Sequence, residues 1–477
     1  MKLLSGLKRF LLTKPQSTII FISFTLTLGS CTFVPGYVPA EDEVGVHFLN
    51  EQAQTLPRRS LPDEESLFDE QNHPVSGISL QHWQLSPQQV TAFSVQKGGE
   101  RVFIANRAGR VSALRHERQN SGSVLVQTPL LDMGRPVGGL SISPDGRYLA
   151  VAVISRIVIV DLPEKKIVRL MATVKGRISS LAWDPRGEIL AIGGADGDVF
   201  IWDVFAEESF FNFDSRRLER YSIAVSPVVR LAFHPLGRAF FAAEQDGRLA
   251  LWRAFRTERE LGIRDGYSLY DKRHQDPLFS ELPALGSRIV DIALSSDSTL
   301  LLAVSEDARV VAWKVRGLKK IFEREVAGPA LGAMDLIEQD LTSARVFASS
   351  SRDQRFALYC LKDDKAQTVE GKPEVRSITD VLLGNDLSET ANPAQTSSVP
   401  GELAVMRPGP LRAELHSNVL GFAVRQMIYS PASGLLWAVG DAGEIFLVDT
   451  SRWTSDAGVG RMLAERCGQG EGPDLTN

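Results

Sequence analysis

Short runs of alternating apolar and polar residues, separated by turn-forming residues, recur along the chain from about residue 90 onward. The clearest copy has apolar runs at 178–183, 189–192 and 199–203. Alternation with a period of two predicts short β-strands, and Asp196-Gly197 between the second and third runs predicts a β-hairpin. Glycine accepts the positive φ that such a turn requires. Each copy therefore predicts three strands.

Six further copies have the same order of runs and turns. They span residues 91–115, 140–161, 231–252, 289–313, 333–361 and 426–449. In most of them an aspartate stands between the second and third runs, because its side chain bonds nearby backbone N–H groups in a turn. We predict that the structural turn residues are Asp196, Gly197, Asp246, Gly247, Asp307, Asp353 and Asp441.

The more polar connections at 123–131, 166–174 and 319–326 supply a fourth, outer strand. Four-stranded units that repeat at about 40–60 residues are typical of propeller blades, which bury both faces only by stacking in a closed ring. The sequence predicts an all-β, seven-bladed β-propeller over residues 77–453, and we expect 77–85 to complete the last blade as its outer strand.

Three connections are longer than a blade needs: 205–226, 253–286 and 362–419. Long connections in compact domains are usually functional or disordered. We predict that 362–419 is a disordered insertion, and that residues 454–477 form a flexible C-terminal tail.

Trp202-Asp203, which follows the Asp196-Gly197 turn, resembles the closing dipeptide of WD40 repeats. Trp252-Arg253 and Trp313-Lys314 are variants of it. The resemblance covers about 85–450, although the Gly-His dipeptide of that family is absent from the chain. The stretch 143–150 is similar to the repeats of TolB-like periplasmic propellers. The fold is therefore expected to be a WD40- or YVTN-like propeller.

The resemblance implies a ring that binds other proteins through loops on one rim. Arg177 and Arg288 directly precede the innermost strands of the third and fifth blades. In WD-like propellers this region lies near the mouth of the central channel, so we predict that both arginines contact a partner. The alternative is that they are solvated loop residues.

The N-terminal 30 residues are typical of a lipoprotein signal peptide. Lysine and arginine precede a mostly apolar stretch of about a dozen residues at 17–28, which is shorter than the ~20 residues that span a bilayer. Residues 28–31 resemble the bacterial lipobox, which implies that Cys31 is lipidated and anchors the chain. The alternatives are an ordinary signal peptide with a chance cysteine, or an uncleaved anchor. Thr32 after the cysteine favours the periplasmic face of the outer membrane.

Residues 31–76 are predicted to form a lipidated tether. Five prolines and nine acidic residues against Arg58 and Arg59 favour an extended, poorly ordered chain. The alternative to a simple spacer is that the apolar stretches 44–49 and 67–68 are motifs that bind a partner.

Composition and motifs limit the remaining functions. A formal net charge of −5 argues against nucleic acid as a partner. The three cysteines and seven histidines have no metal-ligand spacing, and no catalytic or phosphate-binding motif is present. No catalytic, cofactor or metal site is therefore predicted. The sequence leaves undecided whether Cys360 and Cys467 form a disulfide.

The sequence as a whole predicts a membrane-anchored scaffold, for example an accessory subunit of an envelope assembly or secretion machine. We expect it to bind other envelope proteins and not to be an enzyme. A periplasmic propeller hydrolase or lactonase, and a ligand-binding sensor, are the alternatives.

Overall fold

A computed structural model of the chain describes residues within 45–468. Its main gaps lie at 60–66, 76–79, 172–175, 206–217, 255–262, 269–277, 327–330, 339–345, 362–412, 417–421 and 454–457, with shorter ones between them. The chain divides into residues 1–34 and 35–477, and all the described residues belong to the second unit. No helix in the described part of the chain is long and apolar enough to cross a membrane.

The described chain begins with six short strands and then forms blade 1. The six are β1 (His47–Phe48), β2 (Gln54–Leu56), β3 (Arg58–Arg59), β4 (Leu67–Phe68), β5 (Pro74–Val75) and β6 (Leu80–Gln84). Blade 1 consists of β7 (Val90–Val95), β8 (Arg101–Asn106), β9 (Arg110–Gln119) and β10 (Gly122–Asp132).

Blades 2 to 5 are four-stranded antiparallel sheets, ordered from the innermost strand outward. Blade 2 has β11 (Val137–Ile142), β12 (Tyr148–Val153), β13 (Arg156–Asp161) and β14 (Lys166–Met171). Blade 3 has β15 (Ile178–Trp183), β16 (Ile189–Gly194), β17 (Asp198–Asp203) and β18 (Leu218–Ser222). Blade 4 has β19 (Val228–Phe233), β20 (Ala239–Glu244), β21 (Leu249–Arg253) and β24 (Leu278–Leu282), with a separate hairpin of β22 (Ile263–Arg264) and β23 (Tyr267–Ser268). Blade 5 has β25 (Ile289–Leu294), β26 (Leu300–Ser305), β27 (Arg309–Lys314) and β28 (Lys319–Glu325).

Blades 6 and 7 take strands from both ends of the described chain. Blade 6 has β29 (Leu331–Ile337), β30 (Val346–Ser351), β31 (Phe356–Cys360) and β32 (Leu415–His416), followed outward by β4 and β5. Blade 7 has β33 (Val424–Ser430), β34 (Leu435–Gly440) and β35 (Glu444–Asp449), then β6 and β3. A helix, α1 (Gly458–Gly468), follows. The predicted all-β, seven-bladed propeller is confirmed.

The hydrophobic core consists of seven clusters, one between each pair of adjacent blades. Every blade is therefore covered on both faces. This explains why second strands such as β26 are buried along their whole length and read as apolar runs, not as alternation. Trp313 and Trp437 are fully buried in two of these clusters. Because even blades 7 and 1 share a cluster, the ring is closed.

An N-terminal strand closes the ring, as residues 77–85 were expected to do. β6 pairs antiparallel with β35, so that Trp83 lies opposite Ile445. The side chain of Trp83 is fully buried in the cluster between blades 7 and 1. Blade 7 is thus assembled from strands at opposite ends of the propeller sequence.

The prediction of an extended tether over 31–76 is wrong for the described residues between 45 and 75. β1 and β2 pair with β10, β3 pairs with β6, and β4 pairs with β32. Val46, Leu56 and Leu67 are buried, so this segment both covers exposed strand edges and adds apolar surface to the core.

The predicted flexible tail is likewise wrong at 458–468, where the chain forms α1. Val459 and Leu463 are buried in the cluster between blades 6 and 7. Cys467 forms a disulfide with Cys360 of β31, with their Cα atoms 5.3 Å apart. The helix is therefore attached to blade 6 by both packing and a covalent bond.

The long connections contain outer strands that the sequence pattern did not separate from them. β18 belongs to blade 3, β24 to blade 4 and β32 to blade 6. The predicted insertion at 362–419 therefore needs correction at 415–416, which pair with β31. Residues 362–412 lie outside the described residues.

Candidate functional site

One edge of the propeller, which we call the turn rim, carries the turns between the second and third strands of the blades. The residues that precede the innermost strands lie on the same edge. In blade 3 the N–H of Ala195 in the turn donates to the carbonyl of Arg177 at 2.8 Å, and in blade 5 Glu306 donates to Arg288 at 2.8 Å. The structure therefore places Arg177 and Arg288 on the turn rim, where both side chains are exposed.

The turns on this rim share one backbone geometry in six blades. A residue with positive φ ends each turn: Gly109, Gly197, Gly247, Ala308, Gln354 and Gly443. Its N–H donates to the carbonyl three residues earlier, as Gly197 does to Gly194 at 3.2 Å. These are four-residue turns closed by a left-handed residue, which differ from the two-residue primed turn that an Asp-Gly pair alone suggests.

The predicted aspartates hold these turns through their carboxylates. Asp196 accepts the N–H of Asp198 at 3.3 Å, and Asp246 accepts that of Arg248 at 3.2 Å. In blade 5 the hydroxyl of Ser305 donates to Asp307.

Asp441 lies one position earlier in its turn than these aspartates, because Gly443 is the left-handed residue there. Its carboxylate accepts a hydrogen bond from Arg425 at 3.0 Å. Asp353 lies outside the described residues.

Blade 2 departs from this pattern at the tip of its turn. β12 and β13 are joined by only Ile154 and Ser155, since Val153 pairs directly with Arg156. Ile154 has a φ of 55° and is 52% exposed. A β-branched residue in the left-handed region is a genuine conformational outlier, and such strain is concentrated at functional sites. The sequence pattern missed this residue, although an isoleucine where the other turns use glycine or aspartate was the available signal.

Arginines on the turn rim fall into two groups. Four of them, in blades 4 to 7, are held in ion pairs: Arg248 with Glu281, Arg309 with Glu323, Arg352 with Glu306 and Arg425 with Asp441. Arg135, Arg156, Arg177 and Arg288 are exposed and form no ion pair with any described residue. Three of these four belong to blades 2 and 3, next to Ile154.

The innermost strands, which surround the central channel, are joined by a charged pair and a second carboxylate. Arg230 of blade 4 donates to Asp291 of blade 5 at 2.7 Å. Asp291 also accepts the N–H of Met334 in blade 6 at 3.4 Å, and Asp335 accepts the N–H of Tyr429 in blade 7 at 2.6 Å. Each carboxylate therefore links its own blade to the next one.

Two carboxyl groups have strongly shifted acidity. Burial raises the pKa of Asp335 to about 7, even though the backbone N–H groups of Tyr429 and Leu336 donate to it. Burial also raises the pKa of Glu244, in blade 4, to about 7, against the opposing charge of Arg248. Within the described residues no group of His, Cys, Asp and Glu is arranged to hold a metal ion. The predicted lipidation site Cys31 lies outside the described residues.

The comparison with protein families bears on blade 3. The model of the "WD domain, G-beta repeat" family matches residues 168–203, which run from β14 to the end of β17. Residues 168–203 therefore match a WD40 repeat that begins in the outer strand of blade 2 and takes in the first three strands of blade 3. The Trp202-Asp203 dipeptide, on which the sequence resemblance rested, closes this match. The WD40 repeat and the seven-bladed ring together confirm the resemblance to WD40-like propellers.

Three curated relatives match parts of the chain. Periodic tryptophan protein 2 homolog of Schizosaccharomyces pombe is 27% identical over 152 residues, which are 31% of this chain and 17% of that protein. Target of rapamycin complex subunit wat1 of the same yeast is 25% identical over 182 residues, 38% of this chain and 49% of the relative. Protein LST8 homolog of Drosophila melanogaster is 27% identical over 144 residues, which are 30% of this chain and 39% of the relative. Each match spans less than half of the relative.

Proposed function

We propose that this chain is a protein-binding scaffold of the bacterial cell envelope, anchored to a membrane by a lipid on Cys31, and that it is not an enzyme. The observation that carries the proposal is the turn rim, where Arg135, Arg156, Arg177 and Arg288 are exposed without an ion pair among the described residues. Arginine is enriched in protein interfaces because its guanidinium makes several directed hydrogen bonds. A closed ring holds such side chains at fixed positions.

The names of the relatives support a role in assemblies. One is a subunit of the target of rapamycin complex, and another match, in Saccharomyces cerevisiae, is the COMPASS component SWD3. A scaffold needs a rigid surface and no catalytic groups, and the seven blade interfaces supply that rigidity.

The Cys360–Cys467 disulfide supports an exported location. Disulfides persist in oxidising compartments such as the bacterial periplasm and are rare in the cytosol. This bond joins residues 107 positions apart and attaches the C-terminal helix to blade 6. Together with the lipobox at residues 28–31, it favours the periplasmic face of the outer membrane and envelope proteins as partners.

The hydrolase alternative has less support. The two carboxylates of the channel, Asp291 and Asp335, accept backbone N–H groups of neighbouring blades, so their oxygens have structural roles. The exposed charged residues at the strand ends beside Ile154, Arg135 and Arg156, are arginines, which cannot act as general bases at neutral pH.

Affinity purification from crosslinked membranes tests the proposal. We expect the wild-type chain to remain with the membrane fraction and to copurify with defined envelope proteins. Cys31→Ala should release most of the chain, whereas the neighbouring Thr32→Ala should behave as the wild type. Membrane retention of Cys31→Ala would contradict the anchor. Absence of any stoichiometric partner, or turnover of lactones by the purified chain, would contradict the scaffold.

A further inference from the structure

The tip of blade 2 combines two independent peculiarities within a small part of the turn rim. Ile154 is a large, half-exposed apolar side chain held in the left-handed region. Around it, Arg135, Arg156 and Arg177 form no ion pair with a described residue. We call these four residues the blade 2 tip.

The strand pairing brings the four residues to neighbouring positions. Val153, directly before Ile154, pairs with Arg156 on one side and with Val137 on the other, and Arg135 stands two residues before Val137. Arg177 precedes Ile178, whose carbonyl oxygen would lie 3.5 Å from a Cβ on Gly138. The three arginines are thus at strand ends that adjoin Ile154.

The strain at Ile154 is not matched by burial of its side chain. A buried isoleucine would gain packing in return for an unfavourable φ, but more than half of this side chain faces solvent. Asparagine or glycine would adopt the same φ with less strain. Isoleucine at this position therefore favours an interaction made outside the chain.

We propose that the blade 2 tip binds an extended acidic segment of a partner protein, whose carboxylates pair with the three arginines and whose aliphatic side chain packs on Ile154. Charge complementarity selects this occupant, because three arginines that form no ion pair with a described residue stand at strand ends that adjoin one exposed apolar residue. The carboxylate of Asp196, which lies close to Gly176 beside Arg177, is already a hydrogen-bond acceptor within its own turn. The inference rests on the proposed scaffold function and names its binding surface.

A synthetic peptide tests the site directly. The probe is a fluorescent peptide with acidic residues on both sides of one leucine, and its counterpart has serine in place of the leucine. Binding to the full chain is followed by fluorescence anisotropy at two salt concentrations. We expect the wild type to bind the leucine peptide at least about fivefold more tightly than the serine peptide, and more weakly at high salt.

Ile154→Asn separates binding from folding. Asparagine tolerates the left-handed region, so this variant should melt at the same or a higher temperature than the wild type. We expect it to bind the leucine peptide about fivefold more weakly and to lose the preference for leucine over serine. If Ile154→Asn keeps that preference, the apolar contact does not exist and the proposal is wrong.

Charge reversal locates the arginine contribution. The variant Arg135→Glu/Arg156→Glu/Arg177→Glu should lose binding by more than about tenfold, since it replaces attraction with repulsion. Arg186→Glu is the matched control, because this arginine is also exposed and forms no ion pair with a described residue, but lies in the turn between β15 and β16, on the opposite edge of blade 3. We expect it to change affinity by less than about twofold. An equal loss in the control would show that binding depends on overall charge and not on the blade 2 tip, and would overturn the proposal.

Two other occupants are distinguished by the same assay. If vesicles of phosphatidylethanolamine and phosphatidylglycerol bind with equal sensitivity to Ile154 and the arginines, the site serves a lipid surface and the proposal is wrong. If the peptide binds only after Glu41→Gln/Asp42→Asn/Glu43→Gln, the chain's own acidic residues are the occupant, which also overturns it. Should the membrane complex form normally in the Ile154→Asn and charge-reversal variants, the scaffold function stands and only this site fails.

Discussion

Blades 2 to 5 and the group formed by blades 6, 7 and 1 use the same strand pattern but are assembled differently. Each of blades 2 to 5 takes its four strands from one continuous stretch of chain. Blades 6, 7 and 1 also take strands from residues 47–84, and α1 is attached to blade 6 by the disulfide. We call this second group the closing segment.

The difference follows from the cost of joining distant parts of the chain. In blade 7, Trp83 pairs with Ile445, whereas in blade 3 adjacent strands are separated only by short turns or one connection. Ordering a longer loop costs more entropy, although the cost rises only with the logarithm of its length. The additional strands and the disulfide are found where this cost is largest. The closing segment is therefore expected to limit the stability of the ring.

The largest effect is expected from Trp83→Ala, compared with Trp313→Ala. Both tryptophans are fully buried, so each truncation should lower the free energy of unfolding by about 3–5 kcal/mol. They differ in place, since Trp83 is on the closing strand β6 and Trp313 is in blade 5. Hydrogen exchange should speed up across β6 and β35 in Trp83→Ala while blades 2 to 5 stay protected. In Trp313→Ala the change should stay near blades 4 and 5; the same exchange pattern in both variants would argue against a special closing segment.

Removal of the disulfide should be the next largest effect. Cys360→Ser/Cys467→Ser is expected to lower the free energy of unfolding by about 2–4 kcal/mol, because the bond closes a long loop. Chemical denaturation with and without dithiothreitol measures it. The reductant should lower the stability of the wild type to that of the variant and leave the variant unchanged. A wild type insensitive to reductant would show that packing of Val459 and Leu463 holds α1 without the bond.

The sequence was informative where strands repeat and uninformative where they do not. Period-two runs and turn residues located the blades. Most blade strands have five residues or more and are bounded by Asp, Gly or Pro, so the period is visible in the sequence. β1 to β5 have mostly two residues each, which is too short for any periodicity to be visible. α1 contains glycines and is held by Leu463 and Cys467, so tertiary contacts decide its formation.

The candidate site was predictable only in part. Arg177 and Arg288 could be placed on the rim by their position before innermost strands, but their lack of ion pairs depends on side chains of other turns. Asp291 and Asp335 are single acidic residues in apolar strands, and only the ring brings each to the next blade.

A smaller, pH-dependent effect is expected both in the closing segment and in blade 4. Burial raises the pKa of Asp335, which links blades 6 and 7, to about 7, and that of Glu244 in blade 4 to about 7 as well. Each folded pKa exceeds the unfolded value near 4. Between about pH 4 and 7 the folded state therefore binds more protons than the unfolded state. Stability should therefore be fully present below about pH 4 for these groups and fall as the pH rises through 7.

Asp335→Asn and Glu244→Gln test this separately. Each amide removes one ionisation, so each variant should show a shallower decline in the free energy of unfolding between about pH 4 and 8. At pH 8 each should be more stable than the wild type by on the order of 1 kcal/mol. If Asp335→Asn instead destabilises the chain at pH 8, the carboxylate's bonds to Tyr429 and Leu336 outweigh its burial.

The smallest effect concerns two turns with the same backbone conformation. Ala308 in blade 5 and Gln354 in blade 6 both have a φ of 65°, where four of the other turns use glycine. Ala308→Gly and Gln354→Gly should each raise the free energy of unfolding by about 0.5–1 kcal/mol, because relief of the left-handed strain exceeds the added freedom of the unfolded chain. Gly247→Ala is the control of opposite sign, since its Cβ would lie 2.4 Å from the carbonyl oxygen of Ser287. If the closing segment opens first, only Gln354→Gly should slow the exchange of β6 and β35; an equal slowing by Ala308→Gly would mean that the ring unfolds as one cooperative unit.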